Sequence, residues 1–359
     1  MTYLKPLEVQ FQSLTPLWTG DRNKQCSQTL REAGLLGSFR YWYWLMKRIS
    51  TDNDNDKEAN SLTAFMFGTT GWTKPFRFQL TKSVKDNARP SSIFRFNPNS
   101  VYCWTGTFCV IPTRTDDNAW KTFSSSIDDN GLKFSESFPY RLNPEFIEKE
   151  WKSLIEFVEN YGFWSIGGQN GLGITAFTVT SSDIAAPDKQ NQVAKNKQAS
   201  HNPKIMSSAE VTLPENFFTD QNNGSSSLNY STLYAYHHQK SIEKNLLFWK
   251  QNNRKKVFEN LVASKSIINS PQSLLYIPIA YEIRRWLRFK LGEDESAFGK
   301  GGGSGSAQAG IVYLSHPFKK DKKDTRYTVR ITVARRPGLN TDCKQLLDDI
   351  KKQLNWITS

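Results

Sequence analysis

The sequence has no run approaching the roughly 20 apolar residues that a membrane-spanning helix needs, and Met1 to Lys5 lack the apolar core of a secretory leader. Its four cysteines, Cys26, Cys103, Cys109 and Cys343, are too few for a secreted disulfide scaffold and too widely spaced for a pair of CxxC knuckles. These absences predict a cytoplasmic protein with no membrane partner. There are only four histidines. His237 and His238 are adjacent, so on a helix they diverge by about 100° and on a strand they face opposite sides, which is poor geometry for shared ligation. His316, in SHPF after a strand-like run, is the more interesting histidine, either functional or an ordinary hydrogen-bonded one. No spacing groups a nucleophile with a base, and no metal or other cofactor is expected. Acidic residues are also in deficit, 34 against 47 Lys and Arg, which leaves a net charge of +13.

What the chain does have is rings: 23 Phe, 13 Tyr and 11 Trp. A disordered basic tail is poor in aromatics, so this composition predicts a folded body that meets a polyanion through positive charge and stacking faces. With 359 residues the chain holds one large domain or two to three small ones.

Alternation of Leu7, Val9 and Phe11 with Glu8, Gln10 and Gln12 predicts an opening strand. Leu35, Leu36, Phe39, Trp42, Tyr43 and Met46 recur at helical steps, although Gly34 and Gly37 argue for a helix beginning only near Ser38. Thr51 to Ser61 is acidic, polar and ringless and reads as a loop. A glycine turn, FGTTGW, precedes a strand at Phe76, Phe78 and Leu80; a second strand spans Val101 to Ile111, and a helix about Pro144 to Asn160. The segment GFWSIGGQNGLGITAFTVT sets four glycines between two strand-like runs. Ser181 to Thr232 is polar and reads as an insertion, partly flexible. Helical signals return at Ser241 to Ala263 and Leu274 to Leu291. A second glycine cluster at Phe298 to Gly310 leads to strands IVYLS and RYTVRITVA, the latter strictly alternating, and a closing helix spans Asp342 to Trp356. The fold class is therefore α+β with mostly antiparallel strands, and the two halves share a rough order of strand, helix, strand.

Three features can carry chemistry. The glycine segment runs into a strand, not a helix, and lacks the Lys and Ser/Thr of a nucleoside triphosphate loop. It is either a hairpin turn or a place where backbone amides approach a sugar-phosphate chain closely. Asp21 follows Gly20 and has Arg22 and Lys24 beside it. It is either a turn aspartate or a carboxylate that orients a 2′-hydroxyl for attack on the neighbouring phosphate. Most extensive are basic residues interleaved with rings: Arg40 to Trp44 with Lys47 and Arg48, Trp72 to Arg77, Arg95, Arg114, and Arg284, Arg285, Trp286 and Arg288. Singly these are charges snorkelling beside core rings; together with the net charge they point to single-stranded nucleic acid.

The order TPLWTGD (Thr15 to Asp21), REAGLLGSFRYWYWLMKR (Arg31 to Arg48) and FGTTGW with FRFQL resembles the RAMP superfamily of CRISPR-associated proteins. The resemblance is nearest to the Cmr-type head subunit that caps the guide-RNA 3′ end in type III effector complexes. GGQNGLGITAF, YIPIAYEIRRWLR and IVYLSHPF follow in the same order. The resemblance implies ferredoxin-like, RRM-like modules with antiparallel sheets: an N-terminal module over 1–180, a polar insertion over 181–240, and a helical segment with a C-terminal module over 241–359. It implies guide crRNA and target RNA as partners, beside RAMP backbone subunits and the large polymerase-like subunit. For guide contact it points to Arg31, Arg40, Lys47, Arg77, Gly167, Gly168, Gly171, Arg284, Arg285 and Arg288. Trp18 and Trp72 are the candidates for stacking, with a core role open for either. By position Asp21 matches the loop aspartate with which backbone subunits of the superfamily cut target RNA, whereas the head subunit binds without cutting. Gln169 and Asn170 stand where the glycine loop often carries basic residues, so its phosphate contacts would be amide-mediated. Besides this binding role, a target-RNA endoribonuclease and a subunit that only balances acidic neighbours stay open.

Overall fold

The computed structural model of the protein describes residues 6–13, 30–50, 56–86, 103–126, 142–159, 175–179, 205–213, 279–292, 295–299, 310–315, 317, 320, 323–335 and 341–358. The first half contains β1 (Leu7–Ser13), α1 (Glu32–Ser50), α2 (Asp56–Phe67), β2 (Phe76–Asp86), β3 (Cys103–Pro112), α3 (Ala119–Ser126), α4 (Pro144–Phe157) and β4 (Thr175–Val179). Its strands form one antiparallel sheet in the order β2-β3-β1-β4. With α1 after β1 and α4 before β4, that order is the βαββαβ arrangement of a ferredoxin-like fold.

Period-two patterning places this sheet. Leu7, Val9 and Phe11 are buried while Glu8 and Gln10 face outward. Val9 lies opposite Phe108 and Val179, and Phe11 opposite Gly106 and Phe177. Gly106 is required there, because a Cβ would stand 2.3 Å from the Lys82 carbonyl oxygen and 2.5 Å from Phe11 Cζ. Phe39 of α1 and Trp151 of α4 close the inner face, their ring centres 5.1 Å apart, with Phe78, Phe108 and Phe177 around them. Phe65, Trp72, Trp120, Phe123 and Leu142 form a second, smaller core between α2 and α3.

The second half contains β5 (Met206–Thr212), α5 (Ile279–Lys290), α6 (Glu295–Phe298), β6 (Val312–Leu314), β7 (Thr328–Ala334) and α7 (Cys343–Thr358). Its antiparallel sheet has the order β5-β7-β6, so these strands and helices repeat the β1-β3-β2 order of the first half. Helix α7 packs on β5 and β7, and α5 packs on β6. From the other face Tyr313 reaches α1, its hydroxyl 2.9 Å from that of Tyr41 and its ring 4.9 Å from Trp42. One continuous apolar core runs through both halves. The chain is thus α+β, with two antiparallel sheets.

Three expectations need correction. Helix α1 begins at Glu32, not near Ser38. Gly34 and Gly37 lie on its exposed side, where a Cβ would touch nothing, and burial of Leu35, Phe39 and Trp42 outweighs their propensity cost of about 1 kcal/mol each. The acidic stretch read as a loop to Ser61 becomes helix from Asp56. Asp56 and Glu58 sit in its first turn against the positive helix end, and the buried Arg48 pairs with Asp56. The stretch read as an insertion contains β5. Its polar residues escaped notice because they meet a polar face: Ser208 hydrogen-bonds Thr332, and Glu210 binds Arg330. Strand β7 is buried on both faces despite its alternation. Its charge at Arg330 is met by Glu210 at 2.7 Å, and the Arg330 N–H donates to Ser315 Oγ at 2.8 Å. The helix expected at Ser241 to Ala263 lies outside the described residues.

Candidate nucleic-acid interface

Arg31 precedes α1 and its carbonyl accepts the Gly34 and Leu35 N–H groups of the first turn. Glu32 fixes this end of the helix to β2 by accepting the Leu80 N–H at 2.8 Å, beside the bulge between Leu80 and Lys82. Arg31 and, nine residues later, Arg40 are exposed and make no side-chain bond with any described residue. Arg77 is likewise exposed and unengaged, on the outer face of β2 opposite Ile111. These three are open cations, available to an anionic partner from solvent.

Other expected contacts are taken up by the fold. Lys47 reaches Glu150 of α4 at 2.6 Å, and the Tyr43 hydroxyl donates to the same oxygen at 2.7 Å. This network joins α1 to α4 and occupies the Lys47 charge. Trp72 is buried, with its indole N–H donating to the Phe65 carbonyl at 2.9 Å, so it is a core ring and not a stacking face. Arg284 is buried as well: Nε donates to the Val312 carbonyl at 3.0 Å and Nη2 to the Phe298 carbonyl at 2.5 Å. Gly310 makes that passage possible, since a Cβ there would lie 2.3 Å from Arg284 Nη2. Arg285 and Arg288 stand on α5, where Arg288 is partly exposed. Asp21, Trp18, Gly167, Gly168, Gly171 and His316 lie outside the described residues.

The outward face of the first sheet carries Glu8, Gln10 and Gln12 on β1, Gln79 on β2, and Thr105, Thr107, Cys109 and Ile111 on β3. Among the described residues it has no ring on which a base can stack. Most of the described rings build core, and among the described residues Val84 is the large hydrophobic left widely exposed. The expectation of exposed stacking faces is not met by these described rings; Trp18 and the rings of the other masked segments lie outside the described residues. Ring burial follows from the face each strand turns to the helices, which composition does not report.

One ionisable group went unnoticed in the sequence. Glu159 closes the described stretch after α4, just before the glycine-rich segment, and accepts the Phe177 N–H of β4 at 2.8 Å. Burial pushes its carboxyl up to about 7; the Phe177 bond opposes this and the Glu156 charge adds to it. No local motif marks such a residue. Around Glu210, burial works to raise the pKa, but bonds from Lys320 and Arg330 prevail and hold the carboxyl below its ordinary value. Burial pushes the Cys343 thiol up to about 12, with Sγ donating to the Ile205 carbonyl, and also raises Cys109. Neither is a ready thiolate. Among the described residues no three His, Cys, Asp or Glu side chains group to hold a metal, and no helix is long and apolar enough to cross a membrane.

No curated protein matches the chain. The family model of the RAMP superfamily matches residues 10–175, nearly the whole span from β1 to β4.

Proposed function

We propose that the protein is an RNA-binding subunit of a type III CRISPR ribonucleoprotein, which grips the guide crRNA toward its 3′ end and presents it to complementary target RNA. The observation that carries this reading is the coincidence of the RAMP match with a ferredoxin-like module that holds Arg31, Arg40 and Arg77 exposed and unengaged. Phosphates displace counterions from such cations whatever the base sequence, so the grip is made on the sugar-phosphate chain. Sequence selection then falls to pairing between guide and target, and the protein contributes position and shape. Arg288 and the amides of Gly167, Gly168 and Gly171 extend the proposed contact, as the family resemblance suggests. RAMP backbone subunits and the large polymerase-like subunit are the proposed neighbours.

The test is the salt dependence of binding to single-stranded RNA. The triple variant Arg31→Ala, Arg40→Ala, Arg77→Ala should lower the log-log slope by about 2, at roughly 0.7 for each phosphate that is no longer neutralised. An unchanged slope with the fold intact contradicts the reading.

A further inference from the structure

One arginine lies against the rings of the smaller core of the first half. Arg114 follows β3, and its guanidinium carbon lies 4.2 Å from the centre of the Trp72 ring. Trp72 is held on several sides: besides its bond to the Phe65 carbonyl, it stacks on the Phe65 ring at an interplanar angle of 18° and meets Phe123 edge-on. Arg114 is fixed too, since Nη2 donates to Asp116 Oδ2 at 2.9 Å while Asp116 Oδ1 accepts the Asn118 N–H. The Thr113 N–H ties this end of β3 to the Pro75 carbonyl at 2.9 Å. Yet 35% of the Arg114 side chain stays open to solvent.

Among the described residues the other ring-bound cations lack this combination. Arg48 and Arg284 are buried, Lys47 is bound by Glu150, and Lys290 over Trp286 presents an ammonium with no flat face. A guanidinium has two faces, and that of Arg114 has its carbon 4.2 Å over the Trp72 ring. Asp116 neutralises much of the Arg114 charge, which weakens its pull on a phosphate. The planar, weakly hydrated surface survives that pairing and is what a base stacks on. Its immobility also removes most of the ordering cost of a contact.

We propose that Arg114 is a nucleobase-stacking residue for single-stranded RNA, its guanidinium sandwiched between the Trp72 ring and one base. This rests on the RNA-binding reading above and adds a base contact to a grip otherwise made on phosphates.

The full chain is titrated into a fluorescently labelled 12-nucleotide oligoadenylate at several salt concentrations, as wild type, Arg114→Lys, Arg114→Ala and Arg40→Ala, with melting temperatures measured in parallel. Stacking predicts that Arg114→Lys and Arg114→Ala both weaken binding by at least about fivefold with the wild-type salt slope. Arg40→Ala instead lowers the slope. Arg114→Lys keeps a cation beside Trp72 and Asp116, so it preserves the fold if Arg114→Ala does not. In a second arm, abasic sites placed singly along the oligonucleotide should weaken wild-type binding at one or more positions and leave Arg114→Lys indifferent. Wild-type affinity in Arg114→Lys, or a slope lowered by one phosphate in Arg114→Ala, overturns the stacking role while RNA binding stands. Absence of RNA binding by the wild type overturns both.

Discussion

Replacing Glu159 by glutamine isolates the one described carboxyl whose titration is displaced toward neutrality. In the folded protein it titrates near 7, against a reference value of 4.5, because burial disfavours its charged form. The folded state therefore binds this proton more tightly than the unfolded chain does. Below about pH 4.5 both states are protonated and the group costs nothing. Between 4.5 and 7 stability falls as pH rises, and above 7 the whole cost is present. A displacement of about 2.5 pH units at 1.36 kcal/mol each sets that cost at about 3 kcal/mol, an upper figure for a group that keeps some solvent access. Glutamine keeps an oxygen to accept the Phe177 N–H and has no charge to desolvate. Urea unfolding of wild type and Glu159→Gln, measured from pH 5 to 8.5, should show the variant gaining on the wild type as pH rises, with the difference levelling off above about pH 8. Parallel stability profiles for the two proteins would refute the assignment.

Two glycines should respond in opposite senses to alanine. Gly37→Ala, in open space on α1, should stabilise by up to about 1 kcal/mol, whereas Gly106→Ala should destabilise by about 1–3 kcal/mol or more, because its Cβ meets Lys82 backbone and the Phe11 ring; thermal melts rank the pair. Lys47→Ala should cost on the order of 3 kcal/mol by leaving Glu150 buried with only Tyr43, yet leave the salt slope of RNA binding unchanged, which chemical unfolding and RNA titration check together. Asp21→Ala in the assembled complex should leave target-RNA cleavage unaltered on a denaturing gel, since the proposed role is to bind; loss of one cut site would make the subunit a nuclease.

Much of the first module was legible because its signals are local. The alternation at Leu7 to Phe11, the helical recurrence through Phe39 and Trp42, and the glycine turn before Phe76 each describe one element facing one core. What escaped depends on partners far along the chain. Asp56 starts a helix in a segment whose polar half resembles a loop, and β5 is polar because Thr332 and Arg330 meet it from over 100 residues away. The same non-locality sorts the cations. Arg40 and Arg284 look alike in sequence, each flanked by a ring or another arginine. Only the fold shows that carbonyls of Val312 and Phe298 take up Arg284 while Arg40 is left open. Composition told how many rings there are, but the burial of Trp72 needed α3 and Phe65 beside it.

The most direct measurement is to purify the protein from its native cells with whatever assembles on it, extract the bound RNA and sequence it. The account predicts short guides of common repeat-derived design, crosslinked by ultraviolet light to the first module, and absent when Arg31, Arg40 and Arg77 are replaced together. A particle that carries no RNA, or one whose RNA content is indifferent to those arginines, contradicts it.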